Sequence, residues 1–349
     1  MPVILKDIAR ALDISVITVS KVMRDQPDVA AETRKRVLAK AQELGYRPNL
    51  TARSLVTGKS SQVGVIVPTL LHPFFAEVLE GLSSAMKQAG YAVMISSSME
   101  DPVVEEAAIE QLLGHRMDGL IIASCNFSST KFRQLKEQGI PFVLIDRFFP
   151  DLRTDFVGVD DRAVGRIATE HLIAMGCRRI AHIRGLPFTT GVGRFEGYKL
   201  ALEQHGIKFD PNLVSPYMTA DGRDWQQSVL AMRGLLAGRR RPDGVFCYND
   251  PMAIAAVDVA LEAGLRIPED IAFIGCDNLH YDESLRAPLS SVDHHSSQIG
   301  ERAAKMLLRR LKDKTAGNAR QILLQPSLVI RESSRRRNRA QTALRNGPG

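Results

Sequence analysis

From residue 62 onward, short unbroken apolar runs alternate with segments whose apolar residues recur every three or four positions. The runs predict strands over 63–68, 91–98, 119–124, 142–147, 156–161, 179–184, 244–248, 271–276 and 291–294. The segments between them predict helices over 75–89, 105–115, 162–175, 194–205, 252–263 and 297–311. A strand that is apolar throughout is buried on both faces, and the intervening helices supply the cover. The pattern therefore predicts parallel sheets in an α/β core. Roughly 270 residues is large for one such unit, so two lobes are expected.

The first 60 residues carry no strand pattern. Leu5, Ile8, Ala9 and Leu12 follow the i, i+3, i+4, i+7 spacing of one helix face. A second helix is predicted over 16–24 with Ser15 as its N-cap, and Val16, Val19, Val22 and Met23 pointing inward. Only Asp13 and Ile14 separate the two, which fits a helix-turn-helix corner. A third helix is expected from Ala31 to Leu44, closed by Gly45.

Composition narrows the class. The chain has 349 residues, 44% hydrophobic and 24% charged, which excludes a disordered chain and a small disulfide scaffold. No apolar run approaches the ~18 residues that span a bilayer, and the start shows no secretory signal. Four scattered cysteines without a CxxC pair read as buried reduced thiols, so a cytoplasmic, nucleoid-associated protein is expected. The net charge of +7 is uneven: residues 1–60 hold 11 Lys/Arg against 6 Asp/Glu, and residues 331–349 hold 6 against 1. Positive ends on a near-neutral body point to a polyanionic partner. The run Arg335-Arg336-Arg337-Asn338-Arg339 reads as the start of a solvated basic tail over 334–349.

Nucleotide-enzyme signals fail. Thr57-Gly58-Lys59-Ser60 would need glycine at position 53, which is Arg53, and a preceding strand. Gly191, Gly193 and Gly197 miss the dinucleotide spacing by one residue. No nucleophile elbow or zinc spacing is present, so neither an enzyme nor a cofactor is expected.

Four blocks then carry a resemblance: Leu5-Lys6-Asp7-Ile8-Ala9-Arg10, Ser15-Val16-Ile17-Thr18-Val19-Ser20-Lys21-Val22, Glu32-Thr33-Arg34-Lys35-Arg36-Val37 and Leu44-Gly45-Tyr46-Arg47-Pro48-Asn49. In order and spacing they closely resemble the DNA-binding headpiece of the lactose-repressor (LacI/GalR) family. Asp13 departs from the glycine usual in that turn, but Asp tolerates left-handed φ better than most residues. The resemblance implies that Ser15, Val16, Ile17, Thr18, Ser20 and Lys21 meet the duplex, with Val16 and Ile17 choosing bases. Both offer only apolar contact, which suits a thymine methyl; for Val16 a core position is the competing reading. It also implies a hinge helix over 49–60, where Asn49, Ala52 and Arg53 touch DNA and Leu55 wedges into the minor groove.

Residues 61–333 resemble the family's effector-binding and dimerisation core, similar to type I periplasmic sugar-binding proteins. The carrying blocks include His72-Pro73-Phe74-Phe75-Ala76-Glu77, Gly193-Arg194-Phe195-Glu196-Gly197-Tyr198, Asn249-Asp250-Pro251-Met252-Ala253 and Ile274-Gly275-Cys276-Asp277-Asn278. The expected fold is an all-α helix-turn-helix headpiece (1–48) plus an α/β two-lobed periplasmic-binding-protein-like core. Its N-lobe is expected over 61–160 and 292–322, its C-lobe over 161–291 and 323–333. The resemblance implies ligand contacts from Phe74, Phe75, Asp146, Arg147, Thr190, Arg194, Asn249 and Asp277. Either Trp225 or Arg223 is expected as a lid. Asp250 reads as the N-cap before Pro251, and Asp160 and Asp161 as caps, an interlobe pair or ligand contacts. The implied protein is a ligand-responsive regulator, a repressor, binding a pseudo-palindromic double-stranded DNA operator as a homodimer. The implied effector is a sugar, sugar acid or similar small molecule. A solute-binding transport protein is the competing reading, which the cationic headpiece opposes.

Overall fold

The computed structural model describes residues 3–46, 58–218, 224–313 and 318–336. The chain divides into two compact units, residues 1–60 and 61–349.

In the first unit, α1 (Leu5–Leu12), α2 (Val16–Met23) and α3 (Ala31–Glu43) enclose a small core of Ile8, Ala9, Val19, Val22, Val37 and Ala41. Asp13 adopts the left-handed conformation that the tight turn demands, with φ of 51° and ψ of 50°. The Ser15 Oγ accepts the Thr18 N–H at 3.0 Å, capping α2. Val16 departs from the inward pattern. It lies one turn before Val19 on a helix whose buried stripe begins only there, and it is exposed, as is Ile17.

In the second unit, the first lobe is built by β1 (Gln62–Val67), α4 (Pro73–Gln88), β2 (Ala92–Ser97), α5 (Pro102–Gly114), β3 (Gly119–Ile122), α6 (Thr130–Glu137), β4 (Phe142–Ile145) and β5 (Phe156–Val159). The second lobe is built by α7 (Asp161–Ala174), β6 (Ile180–Ile183), α8 (Thr189–Gln204), α9 (Asp224–Ala237), β7 (Gly244–Cys247), α10 (Asp250–Glu262), β8 (Ala272–Asp277) and β9 (Ser290–Asp293). The chain returns to the first lobe through α11 (Ser296–Lys312) and β10 (Gln321–Leu324), then ends the second sheet with β11 (Ser327–Val329). Strand order is β10-β5-β4-β3-β1-β2 in one sheet and β11-β9-β8-β7-β6 in the other. All pairings are parallel except β11 against β9.

This registry moves two expected lobe boundaries. β9 stays in the second sheet through Asp293, paired with Asp277, so the crossover follows 293 rather than preceding 292. β10 stays in the first sheet through Leu324, paired with Val159, so the last crossover follows 324 rather than preceding 323. The tail also begins later than 334. Ser333 and Ser334 are buried, the Ser334 hydroxyl meets His171 Nε2 at 2.7 Å, and Arg336 Nε donates to the Pro268 carbonyl at 2.8 Å. All four cysteines are buried and unpaired.

One helix pair sets the position of a site residue. α7 and α8 pack so closely that a Cβ at Gly165 would lie 1.9 Å from the Arg194 carbonyl oxygen, and one at Gly197 2.1 Å from that of Arg162. Gly197, whose spacing spoils a dinucleotide motif, thus serves close helix packing, as does Gly165.

Candidate functional site: a DNA-reading helix and an interlobe cleft

In the headpiece, α2 presents Val16 (42% exposed) and Ile17 (69% exposed) at its N-terminal end, with Thr18, Ser20 and Lys21 half-buried beside them. Large apolar side chains held in water at the start of a helix-turn-helix second helix are unsatisfied until they meet another surface. Their place is the one from which recognition helices read base edges. Ser15 and Thr18 share a hydroxyl contact at 2.8 Å, and Lys21 pairs with Asp28. Asn49, Ala52, Arg53 and Leu55 lie outside the described residues.

In the core, a cleft of about 460 Å3 opens between the lobes at the carboxyl ends of the strands, where open α/β sheets bind ligands. Phe74 and Phe75 open α4, both buried, with ring centroids 5.0 Å apart edge to face. Asp146 and Arg147 follow β4, Tyr248 and Asn249 follow β7, and Asp277 ends β8. Asp146 and Asp277 sit at φ of 63° and 124°, backbone that residues other than glycine rarely adopt and that concentrates at functional sites.

Arg194 extends from α8 into the cleft. Its Nε donates to Asp161 Oδ1 at 2.9 Å, its Nη1 donates to the Tyr248 carbonyl at 2.6 Å, and its guanidinium lies 4.4 Å from the Tyr248 ring centroid. Burial pushes the Asp161 carboxyl up to about 7 against the pull of Arg194. Arg147 is clamped by Glu100, whose two oxygens accept from Nη1 and Nη2 at 2.8 Å each. Both guanidiniums are therefore already paired with carboxylates.

His72 forms one corner. The Phe74 N–H lies 3.3 Å from its Nδ1. Burial holds the imidazole below its ordinary pKa, which keeps it neutral. Asn249 Oδ1 accepts the Met252 N–H at 3.0 Å, which leaves its Nδ2 to donate to His72 Nε2 at 3.0 Å. Asp277 Oδ2 lies 3.7 Å from that same nitrogen and has no hydrogen-bond partner among the described residues. Burial raises the Asp277 pKa, opposed by His72 and Arg194. The Asn249–His72 pair and an orphan acceptor thus share one corner of the cleft.

Seven of the eight expected ligand residues line the cleft: Phe74, Phe75, Asp146, Arg147, Arg194, Asn249 and Asp277. Thr190 does not. The phase of α8 turns its hydroxyl onto the Tyr248 hydroxyl at 2.8 Å, so it buttresses a lining residue instead. Asp250 is not the cap of α10; Asn249 is, and Asp250 turns inward to accept from the Ser291 hydroxyl. Asp160 caps α7 through the Ala163 N–H at 3.0 Å. Trp225 lines the cleft, while Arg223 lies outside the described residues. His72, Glu100 and Tyr248 line it too without having been singled out for it. For His72 a signal existed, because a polar residue before Pro73 at a helix start is a cap facing the strand ends. Among the described residues, no group of three or more His, Cys, Asp or Glu is placed to hold a metal ion.

Comparison with known proteins places both halves. The family described as bacterial regulatory proteins, lacI family, matches residues 4–49, and a periplasmic binding protein-like domain matches 169–334. The HTH-type transcriptional repressor PurR of Pasteurella multocida is 33% identical over 337 residues, spanning 95% of this chain and 99% of its own. The chain belongs to the LacI family. The ribose operon repressor of Haemophilus influenzae is 32% identical, spanning 94% of this chain and 98% of its own. A solved complex of the transcriptional regulator CelR with cellobiose shares 30% identity and a TM-score of 0.72, over 95% of this chain and 99% of that one. This LacI-family member is a ligand-responsive, DNA-binding transcriptional regulator with a helix-turn-helix headpiece and a two-lobed sensor core.

Proposed function

We propose that the protein is a repressor that binds a pseudo-palindromic operator as a homodimer, in the cytoplasm, and carries out no catalysis. Its DNA affinity answers to a neutral, polyhydroxylated metabolite held in the interlobe cleft. The corner formed by His72, Asn249 and Asp277 carries that reading. A hydroxyl there donates to Asp277 Oδ2, the unpartnered acceptor, and accepts from the second Asn249 N–H. A carboxylate cannot donate, and an ammonium cannot accept. The lining holds Glu100, Asp146 and Asp277 against two arginines that carboxylates already occupy, so an acidic effector meets excess negative charge. A sugar is thus favoured over a sugar acid. Two of the similar proteins point the same way: one is named for ribose and one was solved with cellobiose.

In the headpiece, Val16 and Ile17 read base edges, while Ser15, Thr18, Ser20 and Lys21 fix the register on phosphate. Two-fold symmetry gives mirrored half-sites. Lobe closure changes DNA affinity by a coupling of about 1–3 kcal/mol.

The test is a thermal-melting screen of neutral sugars, the corresponding sugar acids and purine bases on the full chain. A ligand at 100 times its Kd adds ~2.7 kcal/mol of stability. Stabilisation by a neutral sugar and not by its acid supports the reading; stabilisation by acids alone overturns it.

A further inference from the structure

A second groove, about 520 Å3, lies beside the cleft, and Arg147 lines both. In this groove Phe127, from the loop after β3 in the first lobe, stacks on Phe188, from the loop after β6 in the second. Their centroids are 4.5 Å apart and their planes 10° from parallel. The Arg147 guanidinium lies 4.0 Å from the Phe188 centroid. Phe188 is buried, whereas Phe127 is 64% exposed. Beside the stack, the Phe148 N–H of the first lobe donates to Thr189 Oγ1 of the second at 3.3 Å.

Phe127 keeps one face on Phe188 and the rest in solvent, and hydrogen bonds within its loop hold it there. Asn126 N–H donates to Ser124 Oγ at 3.0 Å, and Ser128 N–H donates to Asn126 Oδ1 at 3.0 Å. The Ser124 hydroxyl donates in turn to the buried Glu105 at 2.7 Å, and the Cys125 N–H donates to the same carboxylate at 2.6 Å. The loop is therefore anchored to α5 while Phe127 reaches across to the other lobe.

We propose that Phe127 is an interlobe latch, a positioning residue that holds the lobes together by stacking on Phe188, with Arg147 relaying cleft occupancy to that stack. Any ligand that draws on Glu100 or Arg147 from the cleft changes how the guanidinium meets Phe188. Lobe closure then follows without direct contact between ligand and latch.

Amide hydrogen exchange on the full chain tests it, with the Phe148 amide as reporter because its acceptor lies in the opposite lobe. Phe127→Ala should speed exchange at Phe148 by about three- to tenfold, the factor an aromatic pair of this geometry is worth. Exchange across α5 and β4 should hold at wild-type rates, and Phe127→Tyr should restore the Phe148 rate. Unchanged exchange at Phe148 in Phe127→Ala overturns the proposal. So does a uniform rise through both lobes, which would assign Phe127 to fold stability, and so does a Tyr variant that behaves like Ala. No DNA or effector enters the measurement, so its failure leaves the regulator reading intact.

Discussion

Gly165→Ala strikes the joint that positions Arg194. The added Cβ would meet the Arg194 carbonyl oxygen at 1.9 Å, and the obstacle is backbone, which has no rotamer to retreat into. α8 must back away from α7 by roughly 1 Å, and overpacking of this kind costs about 1–3 kcal/mol. Because the contact is backbone on a fully helical pair, the upper part of that range is expected. For a core of this size, ~2–3 kcal/mol corresponds to a fall in melting temperature of about 4–12 °C. The same retreat lengthens the 2.9 Å contact between Arg194 and Asp161, so the effector response should weaken as well. Gly234→Ala is the matched control, since a Cβ there meets nothing within 4 Å on an exposed face of α9. That variant should be about 0.4–1 kcal/mol more stable. Thermal unfolding followed by circular dichroism reads both. A Gly165→Ala protein that melts within a degree of wild type would show that α7 and α8 are not held at this spacing.

In the headpiece, Ser15→Ala removes the cap on α2 and should cost ~1 kcal/mol, seen as a lower melting temperature of that unit and weaker DNA retention with the core transition unmoved. Arg194→Ala should abolish stabilisation by the effector found in the screen while DNA binding persists; a normal response would remove Arg194 from the site. Asp161 gives a pH test. Its folded pKa, raised to about 7, lies above the ordinary value of 3.8. Its stabilising contribution is thus complete below pH ~4 and lost as pH rises through 7. Asp161→Asn should therefore gain stability relative to wild type as pH rises from about 4 to 7 in denaturant titrations, with the difference levelling off above that; a constant difference contradicts the assignment.

Much of this was legible in the sequence where local chemistry and tertiary packing agree. The headpiece helices announced themselves through apolar spacing, a Ser cap and a two-residue turn, and Asp13 took the left-handed φ expected of it. Continuous apolar runs marked β1 and β3 to β8 because both faces of those strands are covered. The strands β10 and β11, with three or four residues each on sheet edges, carry too little signal to be seen. α8 begins at Thr189, five residues before its expected start, because Gly191 and Gly193 look like loop until their packing partners are known. Seven cleft residues were reachable through the family resemblance, yet Thr190 and Asp250 went astray for one reason. Spacing places a residue on an element, but only the neighbouring elements decide which side of it faces open space. His72, Glu100 and Phe127 act through partners distant in sequence, Asn249, Arg147 and Phe188, and no local pattern encodes those meetings.

The central claim, that α2 of the headpiece reads a specific duplex, is tested most directly by sequencing the genomic fragments that the full-length protein retains at low salt. Retained DNA should converge on a pseudo-palindrome with mirrored half-sites, and exchanging Val16 and Ile17 for polar residues should change the preferred bases at a few positions in each half. Fragments retained without a common sequence, or a consensus that Val16 and Ile17 variants leave untouched, would contradict it.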